Sequence, residues 1–229
     1  MARLPRLTLG GYPHHVIQRG NDRRSIFADE ADRLHYLATL RDVTAACGLH
    51  LHAYVLMPNH AHLLITPAHA GDLGRAMQSL GRRYVRWFND RHRRVGALFE
   101  GRYRSSVVDA DHYLLACMRY VELNPVRAKL CERPADFRWS SHRHHVGLAV
   151  DPLVTDHQIY WGLGNTPFER QAAYLGLFEH GPGSEELDRI RKSAHGGWLL
   201  ASPEVAAQIE RTVVRPTTER RAGRPRKGT

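Results

Sequence analysis

The order of strand and helix patterns along the chain limits its fold more than any other sequence feature. Helices are indicated where apolar residues recur every three or four positions, as at Leu34, Leu37 and Leu40. The order β-α-β-β-α-β, followed by one more helix, predicts an α+β fold: a ferredoxin-like antiparallel sheet with helices on one face. The predicted elements are strand 12–19, helix 29–47, strands 49–56 and 60–66, helix 72–89, an extended stretch 97–108 and a helix ending near residue 123.

The chain changes character after about residue 150. Short helical patterns follow near 184–192 and 203–213, and the sequence then becomes polar and basic. We therefore predict a main domain over 1–149, an accessory helical segment over 150–213 and a disordered basic tail over 214–229.

The net charge predicts a polyanionic partner. The 229 residues include 33 Lys and Arg against 23 Asp and Glu, which gives a formal charge of +10 and an isoelectric point near 10.0. Nucleic acid is the commonest polyanion in a cell. Genomic codon bias explains part of the excess of Arg over Lys, but it adds no positive charge, so this argument from net charge is unaffected.

Several classes of protein fit the sequence poorly. Cys47, Cys117 and Cys131 are widely spaced and match neither a zinc module nor a disulfide framework. The N-terminal residues lead into no long apolar run, and no stretch approaches the roughly 18 apolar residues of a membrane span. We expect a soluble, cytoplasmic protein with no membrane partner.

His60 and His62 form a candidate metal site. They lie in a strand pattern, where residues two apart project from the same face at a backbone separation of about 7 Å. Both imidazoles can therefore bind one ion. A lone His-x-His pair is weak evidence, because 16 histidines produce such pairs by chance, and His50 with His52 is another.

Tyr120 and Asn124 form a second candidate pair. They are four residues apart at the end of a predicted helix, so they share a face. The pair also has a purely structural interpretation, because tyrosines pack in cores and Asn-Pro commonly ends a helix.

The two pairs together carry a resemblance to a known family. The chain resembles the single-tyrosine HUH transposases and, more closely, the REP-associated tyrosine transposases, over roughly residues 3–145. Ala61 meets the hydrophobic middle position of the HUH motif only loosely. The motifs are Pro13-His14-His15-Val16-Ile17-Gln18-Arg19-Gly20-Asn21, Met57-Pro58-Asn59-His60-Ala61-His62-Leu63-Leu64, Phe99-Glu100-Gly101-Arg102-Tyr103, Tyr120-Val121-Glu122-Leu123-Asn124-Pro125-Val126-Arg127-Ala128 and Trp139-Ser140-Ser141.

The resemblance implies a reaction and a role for each residue. Tyr120 matches the nucleophile, His60 and His62 match two metal ligands, and Asn124 matches the amide that supplies a third. The implied ion is Mg²⁺ or Mn²⁺, and residues 1–149 would be the catalytic domain. The implied activity is that of a DNA transesterase and endonuclease: cleavage and rejoining of single-stranded DNA at palindromic hairpin elements through a 5′-phosphotyrosine link.

Physical chemistry is consistent with this assignment. A phosphodiester repels nucleophiles through its anionic oxygens, and a divalent ion neutralises that charge. A phenol is a weak nucleophile at neutral pH unless a nearby cation favours the phenolate. The phosphotyrosine link conserves the bond energy, so rejoining needs no ATP.

Arginine-rich stretches are candidates for DNA binding, although runs of charge are often only solvated surface. The basic tail also resembles a hook that binds the minor groove. The candidate residues are Arg82, Arg83, Arg86, Arg102, Arg104, Arg224, Arg226 and Lys227.

Two alternative functions stay open at this point. A non-catalytic DNA-binding regulator would keep the fold and charge without turnover, and a metal-dependent nuclease would use water in place of Tyr120. The sequence does not specify the target hairpin, the physiological metal or whether the protein mobilises DNA in cells. It also leaves open whether a monomer or a homodimer acts, with the tyrosine in cis or in trans.

Overall fold

Four antiparallel strands form the centre of the computed structural model, which describes residues 5–179 and 183–218. Their order in the sheet is β2-β3-β1-β4, and every neighbouring pair is antiparallel. The α+β class and the antiparallel sheet predicted from the sequence are confirmed. The strands are β1 (His14–Arg19), β2 (Leu49–Met57), β3 (His60–Pro67) and β4 (Arg104–Val107).

Helices connect and follow these strands in the predicted order. Within the described residues, no helix is both long and apolar enough to cross a membrane. The helices are α1 (Glu30–Cys47), α2 (Asp72–Arg91), α3 (Ala110–Glu122), α4 (Asn124–Arg127), α5 (His142–His145), α6 (Gln158–Trp161), α7 (Pro167–Gly176), α8 (Ser184–Gly196) and α9 (Pro203–Glu210), with 3₁₀ turns at Asn21–Arg23 and Pro134–Asp136.

Helix α1 shows how local sequence sets the limits of an element. Asp29 caps its first turn, and Asp32 returns a hydrogen bond to the backbone of Asp29. Gly48 ends the helix in the left-handed conformation, with φ of 63°. The buried face differs in part from the predicted stripe, because Leu34 is 49% exposed whereas Tyr36 is buried.

The two faces of the sheet carry different layers. Ala61, Leu63 and Ile65 point from β3 into a core formed with α1 and α2. Val55 and Leu64 point the other way, into a core shared with α3 and the C-terminal helices. The structure therefore places helices on both faces, rather than on the one face expected from the sequence.

The Trp139-Ser140-Ser141 segment covers the free edge of β2. Leu56 N–H donates to the carbonyl of Trp139 (2.8 Å), and Ser141 N–H donates to the carbonyl of Tyr54 (3.0 Å). The Ser141 hydroxyl also accepts a hydrogen bond from the backbone N–H of Tyr54 (3.0 Å). An edge strand that would otherwise expose unpaired backbone groups is thereby protected.

The C-terminal segment packs on the rest of the chain next to β4. The backbone of Leu200 donates to Val107 (2.9 Å) and accepts from Asp109 (2.8 Å). Two residues of the predicted tail also lie against the domain: Arg215 donates to the carbonyl of Pro5 (2.6 Å), and the carbonyl of Thr217 accepts from the N–H of Leu199 (2.9 Å). The remaining tail residues, among them Arg224, Arg226 and Lys227, lie outside the described part of the chain.

Glu122, the last residue of α3, has a fully buried carboxylate with four hydrogen-bond donors. Burial alone would raise its pKa, but the neighbouring charge of His145 and the hydrogen bonds from His142 and His145 outweigh this effect and lower the pKa well below its usual value. The carboxylate therefore joins α3 to α5 and α7. The donors are Ser141 Oγ (2.7 Å), His142 Nδ1 (3.0 Å), His145 Nδ1 (2.7 Å) and Tyr174 Oη (2.9 Å).

Replacing this carboxylate should destabilise the whole protein. We expect Glu122→Gln to lower the free energy of unfolding by about 3 kcal/mol, because an amide keeps the volume but cannot accept from all four donors. Urea unfolding followed by circular dichroism measures this loss. The exposed Glu132→Gln is the matched control and should stay within about 0.5 kcal/mol. Equal stability of the two variants would contradict the structural role of Glu122.

Candidate active site

Strand register assembles the centre of the site. His62 on β3 lies opposite Ile17 on β1, which in turn lies opposite Arg104 on β4. His60 lies opposite Arg19 in the same way. Residues paired across antiparallel strands share a face, so the two histidines and the two arginines project from the same side of the sheet.

The imidazoles of His60 and His62 present suitable nitrogens for a divalent ion. Their ring centres are 4.9 Å apart. His60 Nδ1 donates to the side-chain oxygen of Asn59 (2.6 Å), which leaves the His60 Nε2 lone pair available. Within the part of the chain that the structure describes, no hydrogen bond occupies Nε2 of either histidine. The donor set therefore fits a divalent ion.

Burial keeps these histidines neutral, as ligands must be. Removal from water, with a further contribution from the charge of Arg19, lowers the pKa of His60 to about 4. Burial, followed by the neighbouring His15 and His60, holds the pKa of His62 well below its usual value. Burial also lowers the pKa of His15 to about 3, with smaller contributions from His195 and Arg127.

Helix α3 brings Tyr120 to these histidines. Its apolar residues Leu114 and Val121 pack into the core on this face of the sheet. Tyr120 is buried in the same core, with 6% of its surface exposed. The Tyr120 ring meets the rings of His15 and His62 edge-on, with centres 5.6 Å and 5.9 Å apart. All three rings belong to one chain, so a single protomer contains the cluster.

Arg127 places a positive charge on the Tyr120 ring. Its guanidinium carbon lies 4.3 Å from the ring centre, and its Nη2 donates to the Tyr120 carbonyl (2.6 Å). The segment that follows α3 therefore folds back over the tyrosine. Arg127 belongs to the motif around Tyr120, but its residue type and position predicted no role for it.

Asn124 begins the next short helix, one turn beyond Tyr120. Its side-chain nitrogen donates to the carbonyls of Tyr120 (2.9 Å) and Val121 (3.1 Å). The amide oxygen, which is the atom that binds hard cations, takes no part in these bonds.

A cavity of about 480 Å³ lies over β1 and β4, next to the strand that carries the histidines. Ile17 and Arg19, the strand partners of His62 and His60, form part of its wall. His195 reaches the cavity from α8, where Arg104 contacts its carbonyl and ring nitrogen, each at 3.3 Å. Four arginines outnumber two carboxylates in its wall, and one of these carboxylates, Glu100, lies 3.4 Å from Arg104. The charged and basic residues that line the cavity are Arg19, Arg23, Arg102, Arg104, His195, Asp22 and Glu100.

Comparison with known proteins identifies the family. The model of the family described as "Transposase IS200 like" matches residues 10–124, which is half of the chain. This chain belongs to the IS200-like transposase family. It is accordingly a DNA-processing enzyme of the transposase type. No curated protein sequence matches it.

The fold is shared with a solved structure. A REP-associated tyrosine transposase bound to a REP hairpin superposes with a TM-score of 0.53 at 16% identity, over 69% of this chain and 92% of that one. A proposed transposase from Deinococcus radiodurans R1 is 27% identical over 53% of this chain and 93% of that chain, with a TM-score of 0.36.

The structure separates the arginines proposed to bind DNA into two groups. Arg102 and Arg104 line the cavity beside the histidines. Arg82, Arg83 and Arg86 lie on α2, which packs on the opposite face of the sheet from Tyr120. Arg83 is paired there with Asp42 (2.7 Å), and Arg86 lies 3.9 Å from Asp90. These three arginines are not brought to the site.

The competing His-x-His pair has a structural explanation. His50 is exposed, and both ring nitrogens of the buried His52 are used: Nδ1 donates to the Thr155 carbonyl (2.7 Å) and Nε2 bonds the Thr66 hydroxyl (2.9 Å). The ladder between β2 and β3 is irregular at this position. The pair therefore offers no ligand set.

A further group of potential ligands, His144, His145 and Asp156, is also explained by hydrogen bonds. The backbone N–H of Asp151 donates to His144 Nδ1 (3.1 Å), so the proton of a neutral His144 is on Nε2, which bonds Asp156 (3.3 Å). A nitrogen that carries a proton cannot bind a metal ion.

Cavity arginines should contribute to DNA binding, whereas α2 arginines should not. We expect Arg104→Gln to weaken binding of a single-stranded oligonucleotide and to reduce the slope of log affinity against log salt by about 0.7, because one phosphate contact is lost. Fluorescence anisotropy over a range of salt concentrations measures both quantities. Arg86→Gln is the matched control and should leave the slope unchanged. A larger effect at Arg86 would place the DNA on the other face.

Proposed function

We propose that this chain cleaves and rejoins single-stranded DNA at palindromic hairpins, with Tyr120 as nucleophile and with Mg²⁺ or Mn²⁺ as cofactor. One observation carries the proposal: the buried Tyr120 ring contacts the ring of His62 in the same chain. The Nε2 atoms of His62 and of its neighbour His60 are both available to bind an ion. A tyrosine that served only to fill the core would not require neutral histidines and a cationic cavity next to it.

The ligands in this proposal are His60 Nε2, His62 Nε2 and the side-chain oxygen of Asn124. When bound, the divalent ion neutralises the charge of the scissile phosphate and orients it. The two hydrogen bonds from the Asn124 amide nitrogen to the end of α3 hold its oxygen in one orientation relative to Tyr120.

Tyr120 carries the covalent step. Its oxygen attacks the phosphorus, the bond from phosphorus to the 3′ oxygen breaks, and the proton lost by the phenol is matched by the one that the departing 3′ oxygen takes up. The products are a 5′-phosphotyrosine and a free 3′ hydroxyl, and attack by a 3′ hydroxyl reverses the step. The guanidinium of Arg127 lies 4.3 Å from the ring centre and holds the tyrosine ring in place.

The cationic cavity would hold the DNA strand that enters the site. Arg19 lies opposite His60 in the sheet, and Arg104 lies one strand further from His62, opposite Ile17, so a DNA strand bound along these arginines leads towards the histidines. The solved REP-associated transposase was bound to a REP hairpin, and a hairpin with a single-stranded flank is the substrate that we propose here.

A denaturing gel tests the mechanism. Labelled single-stranded hairpins from DNA flanking the gene are incubated with the protein and Mn²⁺. We expect the label to stay on the wild-type protein and to disappear from Tyr120→Phe, because phenylalanine has no nucleophilic oxygen. His62→Ala should reduce adduct formation at least about 100-fold, as expected when electrostatic stabilisation of the phosphate is lost.

The matched control is Tyr113→Phe, a tyrosine two turns earlier on α3, which should form the adduct at the wild-type level. Cleavage that persists in Tyr120→Phe would replace the proposal with a nuclease that uses water. Tight binding without cleavage, with Mg²⁺ and with Mn²⁺ and across several hairpins, would instead indicate a DNA-binding regulator.

A further inference from the structure

We infer that His15 is a positioning residue for the proposed metal site: it accepts the Nδ1 proton of His62 and thereby leaves His62 Nε2 free to bind the ion. This inference rests on the proposed function, which uses His60 and His62 as ligands. His15 contacts the ligand His62 through Nδ1, the nitrogen that does not bind the proposed ion, so His15 itself would not touch the ion.

The geometry is that of a buried hydrogen bond between two imidazoles. His15 Nε2 lies 2.8 Å from His62 Nδ1, and the two ring planes are inclined by 22° with their centres 5.0 Å apart. His15 is 1% exposed and projects from β1, where its strand partner Leu64 is two residues from His62. His62 therefore meets His15 through the ring nitrogen that faces away from the proposed ion.

The direction of this bond decides whether His62 can be a ligand. A neutral imidazole has one N–H and one lone pair. If His15 donates, the proton of His62 must be on Nε2, and that nitrogen cannot bind a cation. If His62 donates, its Nε2 has the lone pair. Ligand histidines in metalloproteins are commonly held by such a bond from the second nitrogen.

His15 has no second hydrogen bond that fixes its orientation or tautomer. Among the described residues, its Nδ1 is buried without a partner. The bond to His62 is therefore the polar contact that orients both rings. The same His15 ring meets Tyr120 edge-on at 5.6 Å, so one side chain positions a proposed ligand and also packs on the proposed nucleophile.

Two substitutions separate the hydrogen-bond acceptor from the bulk of the ring. His15→Phe keeps a ring of similar size against Tyr120 but has no acceptor. His15→Gln has an amide oxygen that can accept from His62 Nδ1. Affinity for Mn²⁺ is measured from the electron paramagnetic resonance signal of the free ion, with urea unfolding in the absence of metal as the test of folding.

We expect His15→Phe to bind Mn²⁺ roughly 10- to 100-fold more weakly than wild type, the range observed when such partners of ligand histidines are removed. His15→Gln should recover most of this loss. The exposed His50→Phe is the control and should bind as wild type does. Unchanged affinity in His15→Phe, or equal loss in Phe and Gln variants that unfold like wild type, would overturn the inference.

A second measurement needs no variant. Long-range ¹H–¹⁵N correlation spectra of the wild-type protein report which nitrogen of each histidine carries the proton. With saturating Mg²⁺, we expect the proton of His62 on Nδ1 and that of His15 also on Nδ1. A proton on His62 Nε2 under those conditions would refute the assignment.

Failure of this inference is distinguishable from failure of the proposed function. If wild type forms the Tyr120 adduct and binds Mn²⁺ but His15→Phe binds equally well, only the role of His15 is wrong. If wild type shows no saturable Mn²⁺ binding, the metal site itself fails, and the role of His15 fails with it.

Discussion

The hydrogen bonds to the buried carboxylate of Glu122 determine how α5 and α7 are arranged around α3. An ionised group is costly to bury, and four hydrogen-bond donors from different parts of the chain offset that cost. Glu122 ends α3, two residues after Tyr120. These hydrogen bonds therefore fix α3, which carries Tyr120, against α5 and α7.

The sheet divides structural support from chemistry. One face of β3 buries apolar side chains under α1 and α2, whereas the other carries the histidines that face α3. Antiparallel pairing then extends the histidine face across β1 to β4, which brings Arg19 and Arg104 alongside. Neutral imidazoles and permanent cations are thus neighbours, an arrangement suited to binding a divalent ion and a phosphodiester together.

The C-terminal segment takes part in this arrangement. Helix α8 packs on β4 and supplies His195 to the wall of the cationic cavity, and Tyr174 of α7 donates to Glu122. Residues after 150 therefore contribute both to the cavity wall, through α8, and to the anchoring of α3, through α7. The predicted boundary at residue 149 separates two stretches of sequence that pack closely in space.

The sequence by itself determined the order of the elements, the limits of α1 and the pairing of His60 with His62 on one face, because capping, periodicity and strand alternation act over a few residues. It also contained the motifs that indicated the family. Only the tertiary structure placed Arg19 beside His60 and α2 on the far face, and only it brought His15, Arg127 and His195 to the site. Strand register and helix docking are contacts between residues distant in the chain, and no local pattern encodes which of them will meet.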